Sequence, residues 1–180
     1  MKFKVIYADC PWSYTNKKTG GSHTSGAVQQ YDVLQLAEIQ RLPIQSIAEE
    51  NSVLFLWATV PMLPEAMETM RAWGYTYKTK LTWDKDKYGM GFWFRGQIEE
   101  LLVGIRGKVP PFRCQKRNRM IIKPTTHSTK PAEFRDLITE ITTGPRVELF
   151  ARQTVPGWTA LGLSIDGKRI QDRLVEVAGE

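Results

Sequence analysis

Apolar residues in this chain recur in two rhythms, short unbroken runs and helical spacings, and the alternation of the two predicts its elements. Residues 3–9 alternate and then close into the run Val5-Ile6-Tyr7-Ala8, a first strand that ends at Asp9. Ser52 to Ala58 is a continuous apolar run of strand length, the pattern of a strand covered on both faces. Tyr75 to Trp83 and Glu99 to Arg106 read as two strands that pair antiparallel, and Arg146 to Phe150 and Trp158 to Leu163 as two more. Helical spacing predicts helices over 33–40, 61–73, 131–142 and 169–177, with a further turn opened by Pro43 and anchored by Ile44 and Ile47. Gly74 stands where a helix stop is expected, and Pro131 where a first turn tolerates proline. Strands alternating with helices predict an α/β fold: one mostly parallel sheet, helices on both faces, and the antiparallel pair added near an edge.

Three stretches carry no core pattern. Residues 13–30 are polar and rich in Gly, Ser, Thr and Lys. They read either as a plain linker or, because they follow the end of the first strand, as a lid. Residues 84–97 mix Lys85, Lys87 and Arg95 with Tyr88, Phe92, Trp93 and Phe94. The third runs on from the strand at Arg106 as far as Pro124.

Composition narrows the class. A chain of 180 residues suits one domain, residues 1–180. No apolar run approaches the roughly 20 residues of a membrane span, and Met1-Lys2-Phe3-Lys4 leads straight into a strand with no room for a signal peptide. Two cysteines, Cys10 and Cys114, make no disulfide framework, and His23 and His127 have no partners at ligand spacing, so no metal site is expected. The expectation is a cytoplasmic protein. The net charge is +6, and no Asp or Glu occurs from Leu101 to Ala132, where Arg106, Lys108, Arg113, Lys116, Arg117, Arg119, Lys123 and Lys130 lie. Such a stretch is a solvated loop or a surface for phosphates; the aromatic and basic residues mixed nearby favour the second.

The chemistry concentrates at Asp9-Cys10-Pro11-Trp12. In open α/β sheets ligands bind beyond the carboxyl ends of strands, and this strand delivers there an acid, a stiff turn and a flat ring. No P-loop and no G-x-G-x-x-G is present. Cys114 lies in the basic loop and not at a strand end, which argues against a nucleophile.

At the end of a first strand, Asp9-Cys10-Pro11-Trp12 resembles the Asp-Pro-Pro-Trp motif of amino methyltransferases acting on adenine N6. Further stretches resemble, in order and over nearly the whole chain, the family that includes the catalytic subunit of the eukaryotic messenger-RNA N6-adenosine methyltransferase and many phage and bacterial relatives. These are Phe55-Leu56-Trp57, Trp73-Gly74-Tyr75, Glu99 to Gly107, Ser128-Thr129-Lys130-Pro131, Val147 to Arg152, Pro156-Gly157-Trp158 and Leu161-Gly162. The resemblance implies a methyltransferase Rossmann-like sheet in the permuted motif order, catalytic motif first and cofactor motifs last. It implies transfer of a methyl group from S-adenosylmethionine to adenine N6 in nucleic acid, with DNA favoured and RNA the alternative. A catalytically silent nucleic-acid-binding subunit is the competing class, against which the presence of Asp9, Pro11, Trp12 and Lys130 argues.

The roles it implies are residue by residue. Asp9 holds the target amine and the methionine amino group, Cys10 and Pro11 offer backbone carbonyls, and Trp12 stacks on the base. Ser128, Lys130, Phe150, Arg152, Leu163 and Ser164 line the cofactor, with Lys130 on its carboxylate. Tyr31 and Glu99 wall the target pocket. Apart from the resemblance, the loops 13–30 and 84–97 with the basic stretch 107–123 are the expected target-strand groove, where Lys85, Arg117 and Arg119 face the nucleic acid. Cys10 replaces a proline of the motif, and Leu163-Ser164 replaces a ribose-binding Asn-Gln pair. The few residues before the first strand leave no upstream segment to cover the cofactor, so the expectation is weaker cofactor binding or a partner chain completing the pocket. A monomer or a homodimer is expected.

Overall fold

The computed structural model describes all residues except 13–33, 90–92, 113 and 126–128. The expected lid at 13–30, and with it Tyr31 and Ser128, lies outside the described residues.

A seven-stranded sheet carries the described chain, in the order β5-β3-β4-β2-β1-β6-β7. The strands are β1 (Phe3–Ala8), β2 (Ala48–Thr59), β3 (Thr76–Asp84), β4 (Ile98–Arg106), β5 (Arg119–Ile121), β6 (Arg146–Leu149) and β7 (Thr159–Leu161). β1 pairs parallel with β2 and β6, β6 with β7, and β3 with β5. Only β4 runs against the rest, paired antiparallel with both β2 and β3. The predicted antiparallel pair therefore exists near an edge: β4 is inserted between β2 and β3, and only the three-residue β5 lies beyond β3. The reason is visible in Leu101, Leu102 and Val103, all buried. A strand apolar on both faces needs neighbours on both sides and cover above and below.

The pleat sorts the core. Ile6, Ala8 and Cys10 with Leu54, Leu56 and Ala58 face one layer; Val5 and Tyr7 with Val53, Phe55 and Trp57 face the other. The first layer is covered by α1 (Leu36–Gln40), α2 (Ile44–Ile47), α3 (Leu63–Ala72) and α6 (Ile170–Gly179), through Ile39, Ile44, Ile47, Ala66, Met70, Ile170 and Leu174. The second is covered by α4 (Ala132–Ile141), through Phe134 and Ile138, and by Trp158. Gly74 ends α3 as predicted: at φ +84° it lets the Tyr75 N–H donate to the Met70 carbonyl (3.0 Å) and its own N–H to Arg71 (2.9 Å).

Two strand predictions are corrected. β7 stops at Leu161, and Leu163 and Ser164 fall in a short helix, α5 (Leu163–Asp166). Gly162 causes the break: a Cβ there would lie 2.3 Å from the Ala151 carbonyl oxygen, so the chain meets its neighbour backbone to backbone and then turns away. Conversely, the basic stretch hides β5, which adds to β3 with Thr82 opposite Arg119.

Chain order fixes where a ligand can sit. From β1 the chain proceeds to β2 on one side, and from β6 to β7 on the other. The crevice between the carboxyl ends of β1 and β6 is thus a topological switch point. Asp9 follows β1 and Phe150 follows β6.

Candidate active site

Alternation along β1 decides what reaches the crevice. Asp9 continues the side of Val5 and Tyr7, while Cys10 continues the side of Ile6 and Ala8 and is buried. Burial pushes the Cys10 thiol well above its ordinary range, and Asp9 adds to the rise. Its backbone, not its sulfur, faces the chemistry. The Trp12 N–H donates to the Cys10 carbonyl at 2.8 Å, closing a three-residue turn around Pro11. Proline's fixed negative φ makes this the relaxed hand of that turn. Trp12 packs against the core, and its indole N–H donates to the Trp57 carbonyl at 3.1 Å. The ring is thereby pinned between the ends of β1 and β2.

Opposite Asp9 stands Lys130, just before α4. Its ammonium lies 2.8 Å from Asp9 and 3.2 Å from Glu99, and 5.4 Å from the centre of the Trp57 ring. Burial lowers the affinity of this amine for its proton, but Asp9 and Glu99 outweigh burial and the net shift is upward. Lys85 pairs with the other oxygen of Glu99 at 2.5 Å. Burial raises the Glu99 pKa, Lys130 and Lys85 lower it, and the cations prevail. The cluster thus holds two cations and two carboxylates in alternation, Asp9–Lys130–Glu99–Lys85. The pleat explains why Glu99 and not Glu100 joins it: Glu100 points to the opposite face, buried, bonded to Lys80 and to the Thr82 hydroxyl.

Three residues of this site have no role assigned from the sequence, although Trp57 and Glu148 lie within stretches of the resemblance. Trp57 floors the cluster, its indole N–H donating to the Tyr7 hydroxyl at 2.6 Å and its ring edge-on to Phe134 at 4.9 Å. Arg135 of α4 pairs with Glu148 of β6 at 2.9 Å and so fixes the helix that follows Lys130. Burial raises the Glu148 pKa above its ordinary value, against the pull of Arg135. The parity of Trp57 with Asp9 and of Glu148 with Tyr7 across paired strands is a signal for two of them, and Arg135, on a helix, has none.

On the other wall, Phe150 adopts φ +59°. That left-handed conformation is unfavourable for a bulky residue. By alternation Phe150 would share a face with Glu148; the turn sends its ring to the opposite layer, beside the core around Leu149 and Leu161. Gly162 abuts the same Phe150–Ala151 backbone, so Phe150, Arg152, Leu163 and Ser164 gather at the ends of β6 and β7.

The basic stretch differs from its expected form. Arg119 donates two hydrogen bonds to Asp84 of β3, one at 3.0 Å from Nε and a second from its guanidinium tip. The Asp86 N–H, Gln97 and Arg119 hold the Asp84 carboxyl down to about 2. Arg117 and Lys116 line a cavity of about 320 Å³ together with Glu133, Asp136 and Glu140 of α4. A stretch without acids in sequence therefore faces acids in space. Arg119 clamps the sheet edge through Asp84 while its side chain stays 60% exposed.

Among the described residues no helix is long and apolar enough to cross a membrane. Residues 3–164 match the MT-A70 family. A type II methyltransferase, M.MunI, from Mycoplasma sp is 33% identical over 188 residues, covering 94% of this chain and 81% of that protein. A probable N(6)-adenosine-methyltransferase MT-A70-like protein of Oryza sativa subsp. japonica is 26% identical over 95% of this chain but only 24% of its own length. An N(6)-adenosine-methyltransferase MT-A70-like protein of Arabidopsis thaliana is 26% identical over 93% of this chain and 24% of its own. With its acid, turn and ring at the switch point of the sheet and a half-buried lysine set against them, the chain belongs to the MT-A70 family of N6-adenine methyltransferases.

Proposed function

We propose that Asp9, the Cys10-Pro11-Trp12 turn and Lys130 together carry methyl transfer from S-adenosylmethionine to the N6 amine of adenine in DNA. The observation that carries this reading is the Asp9–Lys130 pair beyond the end of β1. S-adenosylmethionine ends in a zwitterion, a carboxylate beside an ammonium. A half-buried cation and a carboxylate 2.8 Å apart offer one opposite charge to each. Lys130 would take the carboxylate and Asp9 the ammonium, with Phe150, Arg152, Leu163 and Ser164 on the ribose side. When bound, the cofactor supplies an electrophilic methyl group.

The chain's own task is to make a poor nucleophile reactive. The exocyclic amine of adenine has its lone pair delocalised into the ring. Asp9 accepts one of its N–H groups. Among the described residues the Pro11 carbonyl takes part in no backbone hydrogen bond, and Cys10 retains a second lone pair beyond the one used by Trp12. One of these carbonyls accepts the second N–H. Two fixed acceptors favour a pyramidal nitrogen whose lone pair points away from both, a positioning effect in a water-poor site. Trp12, held by its bond to Trp57, offers the base a face, and such stacking contributes about 1–3 kcal/mol.

DNA is chosen because the chain shares nearly its whole length with the type II methyltransferase, whereas it covers 24% of the plant adenosine methyltransferases. Expression in a bacterial host lacking adenine methylation, followed by mass spectrometry of nucleosides, tests the choice. N6-methyladenine should rise in the DNA pool. A rise confined to RNA would move the substrate to RNA.

A further inference from the structure

The hairpin between β3 and β4 has more surface chemistry than a connection needs. It is a built arm: the Lys85 N–H donates to Gln97 at 3.0 Å, the Gly89 N–H to Gly96 at 2.7 Å, and Gln97 braces Asp84 at 2.8 Å. Its root is the active site itself, since Lys85 and Glu99 flank it. Yet Trp93 is 94% exposed, Phe94 90% and Tyr88 77%. Removing three such rings from water is favourable, so leaving them out in a folded chain marks a contact surface. Lys87 and Arg95, also exposed, stand beside the rings.

We propose that this arm is a base-stacking platform: Trp93 and Phe94 stack on unpaired bases of the target strand beside the adenine drawn into the site, and Lys87 and Arg95 hold the adjoining phosphates. The proposal rests on the nucleic-acid reading above and adds to it where the strand runs. Two arguments select nucleic acid over a protein partner. The arm combines flat rings with cations, the pairing that single strands require. And three aromatic side chains present at most roughly 600 Å² at about 200 Å² each, short of the roughly 800 Å² per partner of a stable protein interface. Scale agrees as well. The chain bends at Asp86, which adopts φ +49°, so the four steps from Lys85 to Gly89 span at most roughly 13 Å, the rise of about four stacked nucleotides. The arm therefore reaches the near neighbours of the target adenine, which lose stacking partners when that base is extruded.

The test is a cycle of ring removal and base removal on the full chain. Fluorescence anisotropy would measure affinity for a labelled 20-nucleotide single strand holding one adenine, and for the same strand with abasic sites at four positions on each side. The proteins are wild type, W93A/F94A, and W93Y/F94Y as the conservative control, each checked by thermal melting for an intact fold. The double alanine variant should bind the intact strand about tenfold or more weakly, and the abasic strand should weaken wild type by a similar factor. Combining the two should cost little more, because each removes the same contact. The tyrosine variant should bind within about threefold of wild type. Losses that multiply, or an alanine variant that binds like wild type, would overturn the proposal while leaving methyl transfer to adenine standing. A change in sedimentation with strand affinity unaltered would overturn it in favour of a contact between two copies. If wild type binds neither DNA nor RNA, this proposal and the functional reading fall together.

Discussion

Lys130→Met isolates the charge cluster, because methionine keeps the aliphatic stem over Trp57 and removes only the cation. In the wild-type chain Lys130 is 16% exposed, Asp9 23% and Glu99 13%, so all three charges are largely withdrawn from water. Breaking a buried pair by deleting one partner costs about 3–5 kcal/mol. Lys85 still serves Glu99 in the variant, and Asp9 keeps some solvent, which places the loss near the lower end, about 3 kcal/mol at pH 7. The sign of its pH dependence also follows. The cations hold the folded Glu99 pKa below its unfolded value. Its contribution is therefore present above the unfolded pKa, about 4.3, and is lost as pH falls through the folded one. In the variant that depression shrinks. The difference between wild type and variant should be full at neutral pH and should dwindle as acid protonates Glu99, which then no longer needs the cation. Urea unfolding followed by circular dichroism between pH 7 and pH 3 measures both numbers. A loss under about 1 kcal/mol at pH 7, or a loss that does not change with pH, would refute the claim that these carboxylates hold Lys130.

Other perturbations separate structure from contact. Gly162→Ala should cost about 1–3 kcal/mol by overpacking, since its Cβ has no space beside Ala151, and should weaken S-adenosylmethionine binding through Phe150; calorimetry giving wild-type affinity would remove Phe150 from the cofactor wall. Arg119→Ala should raise the Asp84 pKa from about 2 and flatten the fall of stability between about pH 4 and pH 2, while Arg117→Ala should leave that slope alone and reduce the salt dependence of DNA binding by more than Arg119→Ala does. Thiol titration of the native chain should find one reactive cysteine, Cys114, and two only in denaturant; two at once would contradict the burial of Cys10.

Much of the sheet was legible because the runs at Val5-Ile6-Tyr7-Ala8 and Val53 to Ala58 are unbroken and the helical spacings are clean. The position of β4 was half legible: its pairing with β3 is a local hairpin, but insertion beside β2 depends on a partner more than 40 residues away. β5 was lost because three residues with one cross-strand partner leave no period to read. At the site, Asp9, Lys130, Glu99 and Trp12 were found by resemblance, and the geometry brings them together. Trp57 was passed over because a tryptophan in an apolar run reads as core, which it also is. Phe150 was named, but its left-handed backbone was not foreseeable, since nothing short of the neighbouring Gly162 announces it. The pairing of Arg119 was illegible for the opposite reason: charge density along a sequence says nothing of Asp84, 35 residues earlier, to which it donates.

The central claim is that Asp9, in its pair with Lys130 and beside the Pro11 turn, holds the amine that is methylated. The most direct measurement is transfer of tritiated methyl groups from S-adenosylmethionine to unmethylated DNA by wild type and by Asp9→Asn, which keeps the shape and removes the charge. Wild type should yield N6-methyladenine. The variant should lose at least about a thousandfold in rate, on the order expected when a principal electrostatic contact is removed, while retaining its fold and its affinity for DNA. A variant within tenfold of wild type would contradict the account.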